Sequence, residues 1–173
     1  MSLPNFMCLG AAKSGTTSLY DILRQHTDIY IPSFKEPHFF DIPENFSNGL
    51  EWYKNTYFKN VNKKIIADFT PSYFFDKHAP KRIFQSLGSD IKFLVIIRNP
   101  VDRAYSHYLH SKRDLYEKQD FGEALKLESS RLQQYQNQAD YLSYLRHSYI
   151  HQGLYSKMLK RYLQYFSLDN FLF

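Results

Sequence analysis

The chain has one cysteine, Cys8, among 173 residues. No internal disulfide can form, so the fold rests on its own core, and the reading points to a reducing compartment, the cytoplasm. No apolar run approaches the roughly 20 residues that a membrane helix needs. The opening MSLPNFMCLG carries no basic segment ahead of an apolar stretch, so no secretory leader is expected. Internal repeats and low-complexity tracts are absent, which excludes repeat architectures. What is present has the composition of a folded domain. Apolar residues make up 43%, charged residues 23% and aromatics 18%, too aromatic for disorder. The length suits one domain, in which roughly two-thirds of the unfolded surface is buried. Lys and Arg number 22 against 17 Asp and Glu, giving a net charge of +5. That excess suits an anionic ligand: a nucleotide, a phosphate, an acidic glycan or a nucleic acid.

Apolar runs at 5–9, 64–68 and 92–97 read as strands. The last is near-continuous, as in a parallel sheet buried on both faces. From Thr16, Leu19, Ile22 and Leu23 recur at helical spacing. Further helices are expected at 51–58 and at 79–87, where Pro80 starts the helix and Gly88 stops it. Another runs from Pro100 to about 115 with Asn99 as N-cap, followed by 121–135, 141–150 and 154–166. Residues 30–36 read as extended or loop, 37–49 as loop, and 170–173 as the start of another strand. This alternation implies an α/β, P-loop-like three-layer fold, with a mainly parallel central sheet flanked by helices.

Two segments carry chemistry. Gly10-Ala-Ala-Lys13-Ser14-Gly15-Thr16-Thr17-Ser18 lies between a strand and a helix, where converging N–H groups and the helix dipole favour an anion. Gly10 and Gly15 have P-loop spacing, but Thr16 stands where a Mg-nucleotide loop has lysine, and the lysine is inside the loop at Lys13. In the second segment, Arg98 follows a buried strand at its C-terminal end, where open α/β sheets place ligands. Ser106 follows in the next helix, and Arg103, three residues before it, shares its face, a natural phosphate clamp.

Together these segments resemble the sulfotransferases that use 3′-phosphoadenosine-5′-phosphosulfate, most closely the carbohydrate (heparan-sulfate type) branch and its bacterial relatives. Lys13-Ser-Gly-Thr-Thr-Ser18 is similar to that family's 5′-phosphosulfate loop, and residues 97–106 to its 3′-phosphate motif. Phe34-Lys35-Glu36-Pro37-His38-Phe39-Phe40-Asp41 resembles the carbohydrate branch's acceptor-side loop, and Thr70-Pro71-Ser72-Tyr73-Phe74 also matches that branch. Phe69 stands where heparan-sulfate-type enzymes often carry a lysine. The resemblance implies one sulfotransferase domain over 1–173. It covers the N-terminal and central part of the usual domain, whose chain continues past a strand like 170–173.

The resemblance further implies sulfuryl transfer from that donor to a hydroxyl or amine of a carbohydrate or other small acceptor, with no metal. Lys13 would stabilise the leaving phosphate. Ser14, Gly15, Thr16, Thr17 and Ser18 would hold the 5′-phosphate, and Arg98 and Ser106 the 3′-phosphate. Glu36 is the first choice for the general base and His38 the second. Glu36 is expected to face a cleft walled by Phe34, Phe39 and Phe40. Its proton affinity is raised by desolvation and opposed by Lys35.

Other readings are a non-catalytic nucleotide-binding remnant and a P-loop kinase-like phosphotransferase, which needs Mg and the missing lysine after Gly15. A nucleic-acid binder leaves the Lys13 loop unexplained, and no nucleic-acid partner is expected. The pairs His107/His110 and His147/His151 lack metal-site form and read as helix-surface residues. The Tyr-rich stretch 135–165 reads as core packing.

Overall fold

The computed structural model describes residues 3–173; Met1 and Ser2 lie outside the described residues. The chain forms two compact units, Met1–Ile97 with Ser156–Phe173, and Arg98–Tyr155. In chain order the elements are β1 (Phe6–Gly10), α1 (Thr16–Leu23), β2 (Ile29–Tyr30), α2 (Pro43–Ser47), α3 (Gly49–Tyr57), β3 (Ile65–Phe69), α4 (Ala79–Leu87) and β4 (Lys92–Val95). The second unit carries α5 (Pro100–Arg113), α6 (Phe121–Asn137) and α7 (Tyr141–Arg146). Then follow α8 (Tyr155–Tyr162) and β5 (Phe171–Leu172).

In the first unit the five strands make one all-parallel sheet, ordered β2-β3-β1-β4-β5. Central β1 sets Phe6 opposite Ala67 on one side and Lys92 on the other. The strand order reverses at β1, so the chain leaving its C-terminal end emerges where open α/β sheets bind ligands. Met7, Cys8, Leu9, Ala67, Phe93 and Val95 are fully buried and form the sheet's share of the core. Burial pushes the Cys8 thiol up to about 12, which leaves it unreactive at neutral pH. Tyr162 of α8 meets Phe93 edge-on at 5.6 Å, and its hydroxyl donates to the Tyr73 carbonyl at 2.9 Å.

Phe39 and Phe40 do not wall a cleft as expected; both are fully buried, and Phe39 stacks on Tyr53 at 4.3 Å. The cause is a buried polar anchor. The Tyr73 hydroxyl accepts from Phe39 N at 2.9 Å and Phe40 N at 3.4 Å, while donating to Asp68 Oδ2 at 3.0 Å. Asp68 also accepts from Tyr53 and Thr70, at 2.5 and 2.6 Å. Burial raises its carboxyl to about 6 against these hydrogen bonds.

Other departures have local causes. The strand read at 92–97 ends at Val95, because the chain turns out toward the N-cap Asn99; Ile96 N still donates to Gly10 O at 2.8 Å. The loop read at 37–49 holds α2, which opens on Pro43. The helix read at 141–150 stops at Arg146, since Glu128 captures the N–H groups of Ile150 and His151 at 2.7 and 2.9 Å.

In the second unit, Asn99 Oδ1 accepts from Val101 N and Asp102 N, capping α5 as expected. Ala104, Tyr108, Ala124 and Tyr149 form its core, tied by buried Glu117, which accepts from Arg131 at 2.6 Å and Tyr149 at 2.9 Å. His107 and His147 are buried rather than on helix surfaces. His147 lies between the carbonyls of Ser143 and Tyr116, with Nδ1 2.9 Å from the first and Nε2 3.2 Å from the second. Among the described residues no helix is long and apolar enough to cross a membrane.

Candidate active site

The loop after β1 is fixed at its base and open at its tip. Ala11 N donates to Ile96 O and Ile96 N to Gly10 O, both at 2.8 Å, which stitches the loop's start to the end of β4. A Cβ at Gly10 would lie 3.0 Å from both Pro71 O and Phe74 Cβ, so the close approach requires glycine. Gly15 caps α1 at φ +95, a conformation that disfavours any side chain. No side chain caps α1, and the first N–H groups of a helix have no partner within it. The Ser14 hydroxyl is buried with no hydrogen-bond partner. Lys13 is held at φ +68, a left-handed conformation that non-glycine residues rarely adopt. An uncapped helix start, an unsatisfied buried hydroxyl and a lysine in one turn fit a phosphate. Of the following hydroxyls, Thr16 is buried while Thr17 and Ser18 are exposed.

The same unit carries a continuous polar chain from this helix to the acceptor-side loop. Lys35 Nζ donates to Thr17 Oγ1 at 3.1 Å and to Glu36 Oε1 at 2.6 Å. His38 Nε2 lies 3.4 Å from Glu36 Oε2, and its Nδ1 lies 2.9 Å from Asp41 Oδ2. Ser72 donates to that same Asp41 oxygen at 2.5 Å. Glu36 and His38, like Lys13, have positive φ, at +66 and +50. Strain at all three chemical candidates is the pattern of a site held in shape by its surroundings.

Charges along this chain alternate, and that decides the protonation states. Burial alone would lower the His38 value, but hydrogen bonds to Asp41 and Glu36 overcome it and raise the imidazole to about 10. Burial likewise works to raise Glu36, yet hydrogen bonds from His38 and Lys35 hold its carboxyl down at about 2. At neutral pH His38 is therefore an imidazolium with no lone pair to take a proton, while Glu36 is a carboxylate that can. The expectation of opposed effects on Glu36 holds, with a second cation, His38, adding to the lowering by Lys35.

Two linked consequences are measurable. The raised His38 value contributes stability that is fully present below the unfolded value near 6.5 and is lost as pH rises through about 10. Asp41→Asn removes the first partner, so imidazole NMR should show the His38 midpoint moving down toward the ordinary value. Its stability deficit against the parent should shrink above pH 10. An unchanged midpoint in Asp41→Asn would show that the network does not hold the charge.

In the second unit, Arg98 is exposed just ahead of the Asn99 cap, and its carbonyl accepts from the Tyr155 hydroxyl at 2.9 Å. Ser106 is half-buried on α5. Arg103 does not join them as a clamp. It is fully buried, donating to the Tyr149 carbonyl with His107 Nδ1 3.4 Å away, because its face of α5 is the one turned to the unit's core. Sequence reasoning missed the structural parts played by Lys35, Asp41 and Ser72. Asp41, three residues after His38, was the one local signal available.

The family model described as sulfotransferase domain matches residues 3–173. The chain is 34% identical over 171 residues to heparan sulfate glucosamine 3-O-sulfotransferase 3B1 of Mus musculus, covering 99% of this chain and 40% of that protein. It is 34% identical over 170 residues to heparan sulfate glucosamine 3-O-sulfotransferase 6 of Homo sapiens, covering 98% and 46%. The chain thus spans less than half the length of these relatives. A solved structure, a sulfotransferase from Alicyclobacillus acidocaldarius, superposes with a TM-score of 0.84 at 34% identity, over 99% of this chain and 72% of that one.

Proposed function

The chain belongs to the sulfotransferase domain family, and from that premise we propose that it transfers a sulfuryl group from 3′-phosphoadenosine-5′-phosphosulfate to a hydroxyl or amine of a carbohydrate. The observation that carries this reading is the anion cradle, in which Lys13 and the unsatisfied Ser14 hydroxyl stand at the uncapped start of α1. The acceptor oxygen attacks sulfur in line. A new S–O bond forms, the S–O bond to the 5′-phosphate breaks, and adenosine 3′,5′-bisphosphate leaves. Glu36 takes the acceptor's proton. Lys13 meets the charge growing on the bridging oxygen, while the loop N–H groups with Ser14, Thr16, Thr17 and Ser18 hold the 5′-phosphate. Arg98 and Ser106 take the 3′-phosphate. His38, charged and braced by Asp41, holds Glu36 in place, and Lys35 joins Glu36 to Thr17. Lysine and the helix terminus supply the positive charge, so the reaction is proposed to run without a metal. A lone buried thiol is in keeping with the cytoplasm as its place of action.

Thermal unfolding tests the donor assignment. Adenosine 3′,5′-bisphosphate should stabilise the protein in the absence of magnesium, and more than AMP does. At 100 times its dissociation constant, the gain is about 2.7 kcal/mol. Equal shifts for the bisphosphate and AMP would remove the 3′-phosphate role of Arg98 and Ser106.

A further inference from the structure

The acceptor-side loop borders a groove of about 540 Å³, lined by Glu36 and His38 together with Phe34, Ile42, Trp52 and Tyr57. A second hollow of about 310 Å³ shares Phe34 and Tyr57 and adds Tyr30, Ser33 and Thr56. Flat rings supply much of this surface. Phe34 is 68% exposed, an unusual position for a phenylalanine, and lies 6.5 Å from Tyr57 at a 33° tilt. Trp52 meets Tyr57 edge-on at 5.8 Å. Interleaved with these rings are the exposed hydroxyls of Ser33 and Thr56.

Charge narrows the occupant further. The cations lining the groove are Lys35 and His38. Lys35 sits 2.6 Å from Glu36 Oε1, and His38 lies between Glu36 and Asp41. Each is already neutralised by a carboxylate. A sulfated or carboxylated acceptor would have to break those pairs or bring its charges beside Glu36 without compensation. The exposed ring of Phe34, the half-buried rings of Trp52 and Tyr57, nearby hydroxyls and cations already paired with carboxylates match a sugar ring, whose C–H faces are apolar and whose edges carry hydroxyls.

We infer that this groove is the acceptor subsite for an uncharged saccharide, which stacks on Phe34, Trp52 and Tyr57 and presents a hydroxyl toward Glu36. The assignment rests on the sulfotransferase reading for its reaction, but binding can be read without turnover. Trp52 is the chain's one tryptophan, so its fluorescence reports the groove directly.

The neutral disaccharides cellobiose, maltose and lactose, and a heparin-derived tetrasaccharide as the anionic probe, are titrated into the protein while Trp52 emission is followed. At least one neutral disaccharide should give a saturable change that is the same at low and high salt. Phe34→Ala, at an exposed position, should weaken that binding by about tenfold, equivalent to 1.4 kcal/mol. A response to the tetrasaccharide alone, falling steeply with salt, overturns the inference, as does silence from all four probes. Calorimetry of adenosine 3′,5′-bisphosphate on the same protein separates the two readings. Bisphosphate binding without sugar binding sinks only the groove assignment, and sugar binding without bisphosphate binding sinks only the donor assignment.

Discussion

Glu36→Gln is expected to lower turnover by about 10²- to 10⁴-fold, the range that a positioned general base contributes. Adenosine 3′,5′-bisphosphate affinity should stay unchanged. The carboxylate is a weak base at rest, held down at about 2 by His38 and Lys35. A weak base is sufficient if the proton moves late, once the forming O–S bond has made the acceptor hydroxyl strongly acidic. Glutamine keeps the shape and one acceptor oxygen but cannot take that proton. The same geometry gives a distinctive pH profile. With Glu36 near 2 and His38 near 10, activity should show no histidine-like inflection close to 6.5. Glu36→Gln that retains most of its turnover would move the base elsewhere. A matching loss of bisphosphate affinity would instead mark Glu36 as a residue that shapes the whole site.

Much of the fold was legible because its signals are local. Helix α4 falls at 79–87 as read, since Pro80 and Gly88 punctuate it. The strands read at 5–9 and 64–68 shift by one residue in the structure, as expected from apolar runs that mark a core but not its last hydrogen bond. Two-residue β2 and five-residue α2 are too short to show a period. Arg103 shows another limit. Spacing says that it shares a face with Ser106, but not whether that face is wet or buried, and a fully buried arginine runs against composition rules.

The candidate site divides along the same line. Residues 10–18 are contiguous, so glycine spacing and hydroxyl content expose the cradle directly. The Lys35–Thr17 and Asp41–Ser72 contacts join positions 18 and 31 apart in the chain. Lys35 and Asp41 follow β2, Thr17 follows β1 and Ser72 follows β3, and the parallel alignment of these three strands puts their C-terminal ends side by side. The protonation states of Glu36 and His38 depend on these distant partners, so residue type alone could suggest either one as the base.

Lys13→Ala is the second large effect expected. Removing one donor aimed at developing negative charge typically costs about 10²- to 10³-fold in turnover. At saturating donor, turnover should fall by that amount while bisphosphate affinity changes by less than about tenfold. The asymmetry follows from when the charge appears. In the bound donor the bridging oxygen is shared between sulfur and phosphorus, and it becomes a full phosphate oxygen as the S–O bond breaks. A lysine beside it therefore binds the transition state better than the ground state, and only that difference accelerates the chemistry. Backbone strain at φ +68 is a separate effect, because alanine inherits it unchanged. Lys13→Gly serves as the control, since it relieves the strain and removes the amine together. If the strained conformation itself affected the rate, the glycine variant would differ from the alanine variant. If the amine is the source, both variants should be slow to the same degree, and Lys13→Arg should recover only part of the rate, because a planar fork does not place a point charge on one oxygen. Equal losses in bisphosphate affinity and in turnover would instead make Lys13 a uniform phosphate anchor, with the leaving oxygen stabilised by the start of α1.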